Sequence, residues 1–142
     1  MKRDELLELV DFYCKTYRHP NLKELTISGL YDLFPEIGNP DIYVESAWPS
    51  TYLLCGSSGV YIFLNNDLEV IYVGVAKSGF GNRLGKYFAY NENRKCRLKD
   101  DRITNPRYIV CIAVPSETFF EAASLELFLI NEIKPINNTL GK

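Results

Sequence analysis

The chain has 142 residues, 46% of them hydrophobic, which suits one domain with a core of ordinary size. Its net charge of −2 comes from 18 acidic and 16 basic residues, so a uniformly basic surface for a polyanion is excluded. No run approaches the roughly 18 apolar residues of a membrane span. The opening Met1-Lys2-Arg3-Asp4-Glu5 turns acidic where a signal peptide turns apolar, so a cytoplasmic protein without a membrane partner is expected.

Leu6, Val10, Tyr13 and Tyr17 recur at helical spacing between Asp4 and Tyr17 and predict an amphipathic helix that His19-Pro20 ends. A second, shorter helix is expected over Ser28 to Leu33, with Ser28 as N-cap and Pro35 beyond its end. Pro40, Trp48, Pro49 and Gly56 mark residues 38–58 as an irregular connection. No flexible linker follows, so residues 1–58 are expected to pack on residues 59–138 as one domain.

Gly59–Leu64 and Val70–Gly74 are short β-branched and aromatic runs joined by Asn65-Asn66-Asp67-Leu68-Glu69, which predicts a β-hairpin. Alternation places Tyr61 with Phe63, and Tyr72 with Val70 and Gly74. Val75 to Gly81 is expected to be a loop, but Phe80 follows Gly79 where a phosphate-cradling loop needs lysine. A helix capped by Gly81 or Asn82 and running to Tyr90 would carry Arg83, Lys86 and Tyr87 on neighbouring turns.

The charge is uneven along the chain. Residues 75–110 hold nine bases and three acids, whereas residues 1–74 hold five bases and eleven acids. Arg94, Lys95, Arg97, Lys99, Arg102 and Arg107, with Tyr87, Phe88 and Tyr90 nearby, form either a solvated surface loop or a surface that grips a phosphate backbone. Tyr108–Val114 then reads as a central strand, and Ser116 opens a last helix to Ile133. The fold class is α+β, with a small sheet of three strands in a ββαβα core and an N-terminal helical extension.

On the last helix Glu126 is expected on the apolar face, between Phe119, Ala122, Ile130 and Ile133. A buried carboxylate needs compensation, from an arginine in an ion pair or from a cation. Cys14, Cys55, Cys96 and Cys111 are widely spaced, and His19 is the one histidine, so free thiols rather than a zinc site are expected.

Gly59-Val60-Tyr61 and Tyr72-Val73-Gly74, followed by Arg83-Leu84, Tyr87-Phe88, Leu125-Glu126 and Lys134-Pro135-Ile136-Asn137-Asn138, resemble the GIY-YIG nucleases. The likeness is nearest to the N-terminal nuclease domain of the bacterial excision-repair endonucleases. It implies a DNA endonuclease using one divalent cation, Mg²⁺ or Mn²⁺, with Glu126 as metal ligand and Tyr61, Tyr72 and Arg83 as its catalytic partners. Lys77, Lys86, Tyr87, Arg94, Lys95, Arg97 and Asn138 are then expected at the substrate. The chain departs from the family pattern at Val75, where lysine is usual, at Tyr87, where histidine is frequent, and at Asn137, where an aromatic is usual. Two alternatives belong to other classes: a non-hydrolytic nucleic-acid-binding module, and a protein-interaction domain using the acidic N-terminal third. A protein partner could also supply the specificity of an enzyme.

Overall fold

The runs Gly59–Leu64 and Tyr108–Ala113 are buried along their whole length, as strands covered on both faces must be. In the computed structural model, which describes residues 1–139, helix α1 spans Arg3–Tyr17. Short strands follow at Thr26–Ile27 (β1), Tyr31–Asp32 (β2) and Ser46–Ala47 (β3), then the hairpin Gly59–Leu64 (β4) and Val70–Ala76 (β5). Helix α2 (Phe80–Leu84) leads to a second hairpin, Phe88–Tyr90 (β6) and Cys96–Leu98 (β7), before Tyr108–Ala113 (β8) and helix α3 (Glu121–Ile133).

The main sheet has the order β3-β2-β8-β4-β5, with β1 also paired to β8, so the last strand in sequence lies at its centre. One face carries Val60, Ile62, Leu64, Val110 and Ile112 against Leu6, Val10 and Tyr13 of α1 and Ala122, Leu125 and Leu129 of α3. The other face carries Tyr61, Phe63, Ile109 and Cys111 against Phe80, Leu84, Tyr87, Phe88 and Ile103. The α+β class and the hairpin are as expected, but the sheet has six strands rather than three because the N-terminal third supplies β1 to β3.

Several local expectations yield to tertiary demand. Ser28 to Leu33 is not helical: β1 and β2 both pair with β8, and Ser28 bridges them, its N–H bonding Cys111 O at 2.8 Å and its Oγ accepting Cys111 N–H at 2.9 Å. The segment satisfies the edge of a buried strand instead of its own turn. The helix expected to reach Tyr90 ends at Leu84, and Phe88–Tyr90 becomes a strand drawn against Cys96–Leu98. The basic segment is therefore part hairpin rather than wholly loop. Residues Ser116–Thr118 form a separate 3₁₀ turn, so the last helix starts at Glu121, and Tyr17 is exposed.

Two buried bidentate pairs fasten the first third to the rest. Arg18 donates from Nε and Nη2 to the Glu121 carboxylate at 2.6 and 2.9 Å, and Tyr13 Oη adds a bond of 3.1 Å. Arg107 donates to both oxygens of Asp32 on β2 at 2.7 and 3.0 Å and to Asn66 Oδ1 in the hairpin turn at 2.9 Å. The side chains of both pairs are less than 10% exposed. Removing one partner strands a buried charge, so Arg18→Ala should lower unfolding free energy by about 3–5 kcal/mol, read from urea denaturation. The exposed pair Lys23–Glu117 is the control, and Lys23→Ala should change it by less than about 1 kcal/mol.

Candidate active site

The hairpin register sets Tyr61 opposite Gly74 and Phe63 opposite Tyr72. A Cβ at residue 74 would overlap the Tyr61 ring at Cζ and Oη, so only glycine lets that phenol lie across β5. The ladder shifts between Phe63 and Leu64, and the bulge turns both Ile71 and Tyr72 toward the Tyr61 face while Val70 packs with α1 and α3. Tyr72 therefore does not share a face with Val70. The bulge, which alternation cannot reveal, brings the Tyr61 and Tyr72 rings to 6.2 Å.

Helix α2 is pinned by the buried side chains of Phe80 and Leu84, which leaves Arg83 half-buried over the tyrosines. Its Nε donates to Tyr61 Oη at 3.1 Å and its Nη2 to Tyr87 Oη at 3.4 Å, with the guanidinium 5.5 Å from the Tyr87 ring centroid. The Tyr61 and Tyr87 hydroxyls are 2.7 Å apart, and Tyr87 donates to Tyr72 Oη at 3.4 Å. Four side chains from β4, β5, α2 and the following turn thus make one chain of polar atoms. Tyr87, expected at the substrate surface, is buried inside it.

Burial pushes the Tyr61 hydroxyl up to about 12, opposed by its hydrogen bonds to Tyr87 and Arg83. Tyr87 is pushed up to about 12, chiefly by burial and then by its bond to Tyr61. Tyr72 is also raised, first by burial and then by Tyr87, with the negative charge of Glu126 adding to it. Hydrogen bonding to Tyr61 raises Arg83 further above its ordinary value.

Glu126 is half-buried on α3, the helix packed on β5, and its charge is felt at the Tyr72 hydroxyl. It is not in the middle of the apolar face. Phe119 precedes the helix and is exposed, and the buried face is centred on Leu125 and Leu129, so the deeply buried carboxylate of α3 is Glu121, held by Arg18. Among the described residues no group of three His, Cys, Asp or Glu side chains could hold a metal ion. One carboxylate whose charge reaches the Tyr72 hydroxyl suits a hard cation that takes its remaining ligands from water and phosphate, and does not suit zinc.

The remaining expected residues divide. Lys77 and Lys86 are exposed, as are Arg94, Lys95 and Arg97 on the β6–β7 hairpin. Arg107 is withdrawn by Asp32. Asn138 spends its amide on the backbone of Val73, accepting its N–H and donating to its C=O, both at 2.8 Å, so it holds β5 in place rather than facing a substrate. The four cysteines are free thiols, as expected.

Arg102, read from sequence as one cation of the basic segment, is instead paired with Asp100, which that reading did not foresee. They form a bidentate pair at 2.8 and 3.0 Å and line, with Tyr72, Ile103 and Asn137, a cavity of about 40 Å³ beside the tyrosines. The signal was an aspartate two residues before an arginine, which bonds back to the Arg102 N–H at 3.0 Å.

Residues 57–139 match the family described as the UvrC-like GIY-YIG domain. The chain belongs to that family. It is 40% identical over 82 residues to UvrABC system protein C of Treponema denticola, an alignment covering 58% of this chain and 12% of the relative. It is 41% identical over 86 residues to the protein of the same name from Streptococcus mutans, covering 61% and 13%. With Mycoplasma capricolum the figures are 39% over 88 residues, 62% and 14%. The chain thus spans about one-eighth of the length of the curated relatives it matches. Residues 1–56 lie outside the family match, and no helix among the described residues is long and apolar enough to cross a membrane.

Gly74→Ala should displace the Tyr61 ring and cost about 1–3 kcal/mol of stability by overpacking, measured by urea denaturation. The buried phenols also fix an alkaline limit. Tyr13, Tyr61 and Tyr87 titrate near 12 when folded against 10.0 ordinarily. The unfolded chain therefore loses its protons first. Stability should be intact below about pH 10 and fall between pH 10 and 12, by up to about 1.4 kcal/mol per pH unit for each tyrosine. Tyrosinate absorbance and the denaturation midpoint measured together check this.

Proposed function

We propose that the chain hydrolyses phosphodiester bonds in DNA, with one divalent cation held at Glu126. The observation that carries this is the linked set Arg83, Tyr61, Tyr87 and Tyr72, a cation and three hydroxyls converging where the charge of Glu126 is felt. A purely structural aromatic core needs no guanidinium bonded to its phenol oxygens.

Arg83 presents a half-buried, permanently charged fork, suited to a phosphate and to the extra negative charge of a five-coordinate phosphorus. Water attacks the phosphorus in line, the bond to the leaving sugar oxygen breaks, and the attacking water gives up a proton. Tyr61 lies at about 12, some five units above neutral pH, and ionising it there costs about 7 kcal/mol. One charge-assisted hydrogen bond supplies about 1.5–3 kcal/mol, too little to make tyrosinate the resting base. Tyr61 therefore takes the proton by passing its own to Tyr87, and Tyr87 passes its own to Tyr72, along contacts of 2.7 and 3.4 Å. The half-buried Tyr72 releases its own to solvent, from which the leaving sugar oxygen is protonated. When bound, Mg²⁺ or Mn²⁺ supplies Lewis-acid stabilisation of the phosphate and leaving oxygens. Lys77, Lys86, Arg94, Lys95 and Arg97, all exposed, hold the flanking backbone.

The test is cleavage of plasmid, branched and single-stranded DNA with Mg²⁺ or with chelator. Glu126→Gln should reduce cleavage by orders of magnitude while leaving DNA binding and folding intact; parental cleavage by that variant would overturn the metal assignment. Tyr87→Phe breaks the proton path and should lower kcat about 100-fold or more with KM little changed. An unchanged kcat would remove the relay. Ala at Arg94, Lys95 and Arg97 together should flatten the salt dependence of binding by about one slope unit for each phosphate no longer neutralised.

A further inference from the structure

The tip of the β6–β7 hairpin carries a feature that neither the catalytic set nor the family match accounts for. Tyr90, three residues after Tyr87, is 55% exposed, and its ring lies 5.0 Å from that of Trp48, a half-buried residue of the N-terminal third outside the matched region. Trp48 is fixed at both ends: its N–H bonds Asp32 O at 2.8 Å and its indole Nε1 donates to Arg94 O at 3.3 Å. The tip is equally set. Asn91 Oδ1 accepts the N–H groups of Asn93 and Lys95 at 2.8 and 3.0 Å, and the Asn91 N–H bonds Lys95 O at 2.8 Å.

Two open concavities meet at the Tyr90 ring. One of about 600 Å³ is lined by Pro49, Tyr90, Asn91, Glu92 and Arg94, the other, of about 400 Å³, by Tyr90, Asn91, Glu92, Asn93 and Arg97. Each pairs an aromatic face with a guanidinium, and the amides of Asn91 and Asn93 add donors and acceptors. Glu92 is the opposing charge, outnumbered by Arg94, Lys95 and Arg97.

We infer that Trp48 and Tyr90, with Arg94 and Arg97, form a stacking subsite for an unpaired nucleotide of the DNA, so that the chain prefers DNA with a single-stranded or displaced segment. The inference rests on the DNA-hydrolase reading and adds the form of the substrate. A base inside an intact duplex offers no face to a side chain, whereas an unpaired base offers two, and stacking on an aromatic next to cations is how single strands are held without sequence preference. Strand β6 advances about 3.3 Å per residue, so Tyr90 stands about 10 Å from Tyr87, a few nucleotide steps from the catalytic tyrosines. Rigidity matters here, because a platform that is already ordered loses little entropy on binding.

Trp48 is the one tryptophan of the chain and reports on its own site. The full chain in EDTA is titrated with a 12-nucleotide oligothymidylate and with a blunt duplex, following tryptophan fluorescence and anisotropy of labelled DNA. Cleavage by the parent with Mg²⁺ is measured in parallel. The expected result is quenching by the oligothymidylate, a roughly tenfold loss of its affinity in Tyr90→Ala, retention in Tyr90→Phe, and unchanged duplex affinity in both. Equal loss on both DNAs, or no quenching at saturation, overturns the subsite and leaves the hydrolase reading standing on its cleavage assay. A parent that binds neither DNA and cleaves none overturns both.

Discussion

The Tyr61 ring lying across Gly74 is the contact on which the polar cluster depends. Strand pairing fixes the two residues opposite each other, and the missing side chain at residue 74 lets the phenol fold over the neighbouring strand instead of standing upright. Its hydroxyl then lies within reach of both α2 and the turn that carries Tyr87. The bulge next to Phe63 completes the geometry by turning Tyr72 to the same side. A regular ladder would send every second residue of β5 to the opposite face and lose either Tyr72 or the packing of Val70.

The N-terminal third is an integral part of the sheet. Asp32 and Glu121 are each met by an arginine through two hydrogen bonds, and both pairs join residues far apart in sequence. Buried pairs of this kind contribute modest net stability compared with apolar residues of the same volume, yet each is costly to break. Their effect here is positional: Arg107 links β2, the β4–β5 turn and the start of β8, and Arg18 ties the end of α1 to the first turn of α3. Parallel pairing of β2 with β3 then delivers Trp48 to the basic hairpin.

Much of the core was legible because its signals are local. Two β-branched runs around Asn65-Asn66-Asp67, the unbroken Tyr108–Ala113 and the spacing of Leu6, Val10 and Tyr13 each specify an element without distant help. What escaped depends on partners. Thr26–Ile27 and Tyr31–Asp32 become strands because β8 offers them an edge, a fact located some 80 residues away. The face of α3 was misjudged because Phe119 counts as apolar on a helical wheel but sits in solvent before the helix begins. For the site, Tyr61, Tyr72 and Arg83 could be singled out from motif and charge, whereas the burial of Tyr87, the tie between Asn138 and Val73, and the Asp100–Arg102 pair require the folded geometry.

The place of β8 at the centre of the sheet has a consequence for how the chain comes into being. Strands β1, β2 and β4 all pair with it, yet residues 108–113 are synthesised after every other strand. At about 5–20 residues per second, the ribosome holds the N-terminal strands without their partner for several seconds. During that interval the β4–β5 hairpin, apolar on both faces, is the stretch most in need of cover. Non-local pairings of this kind close late, so the aromatic pocket is assembled only once β8 has emerged.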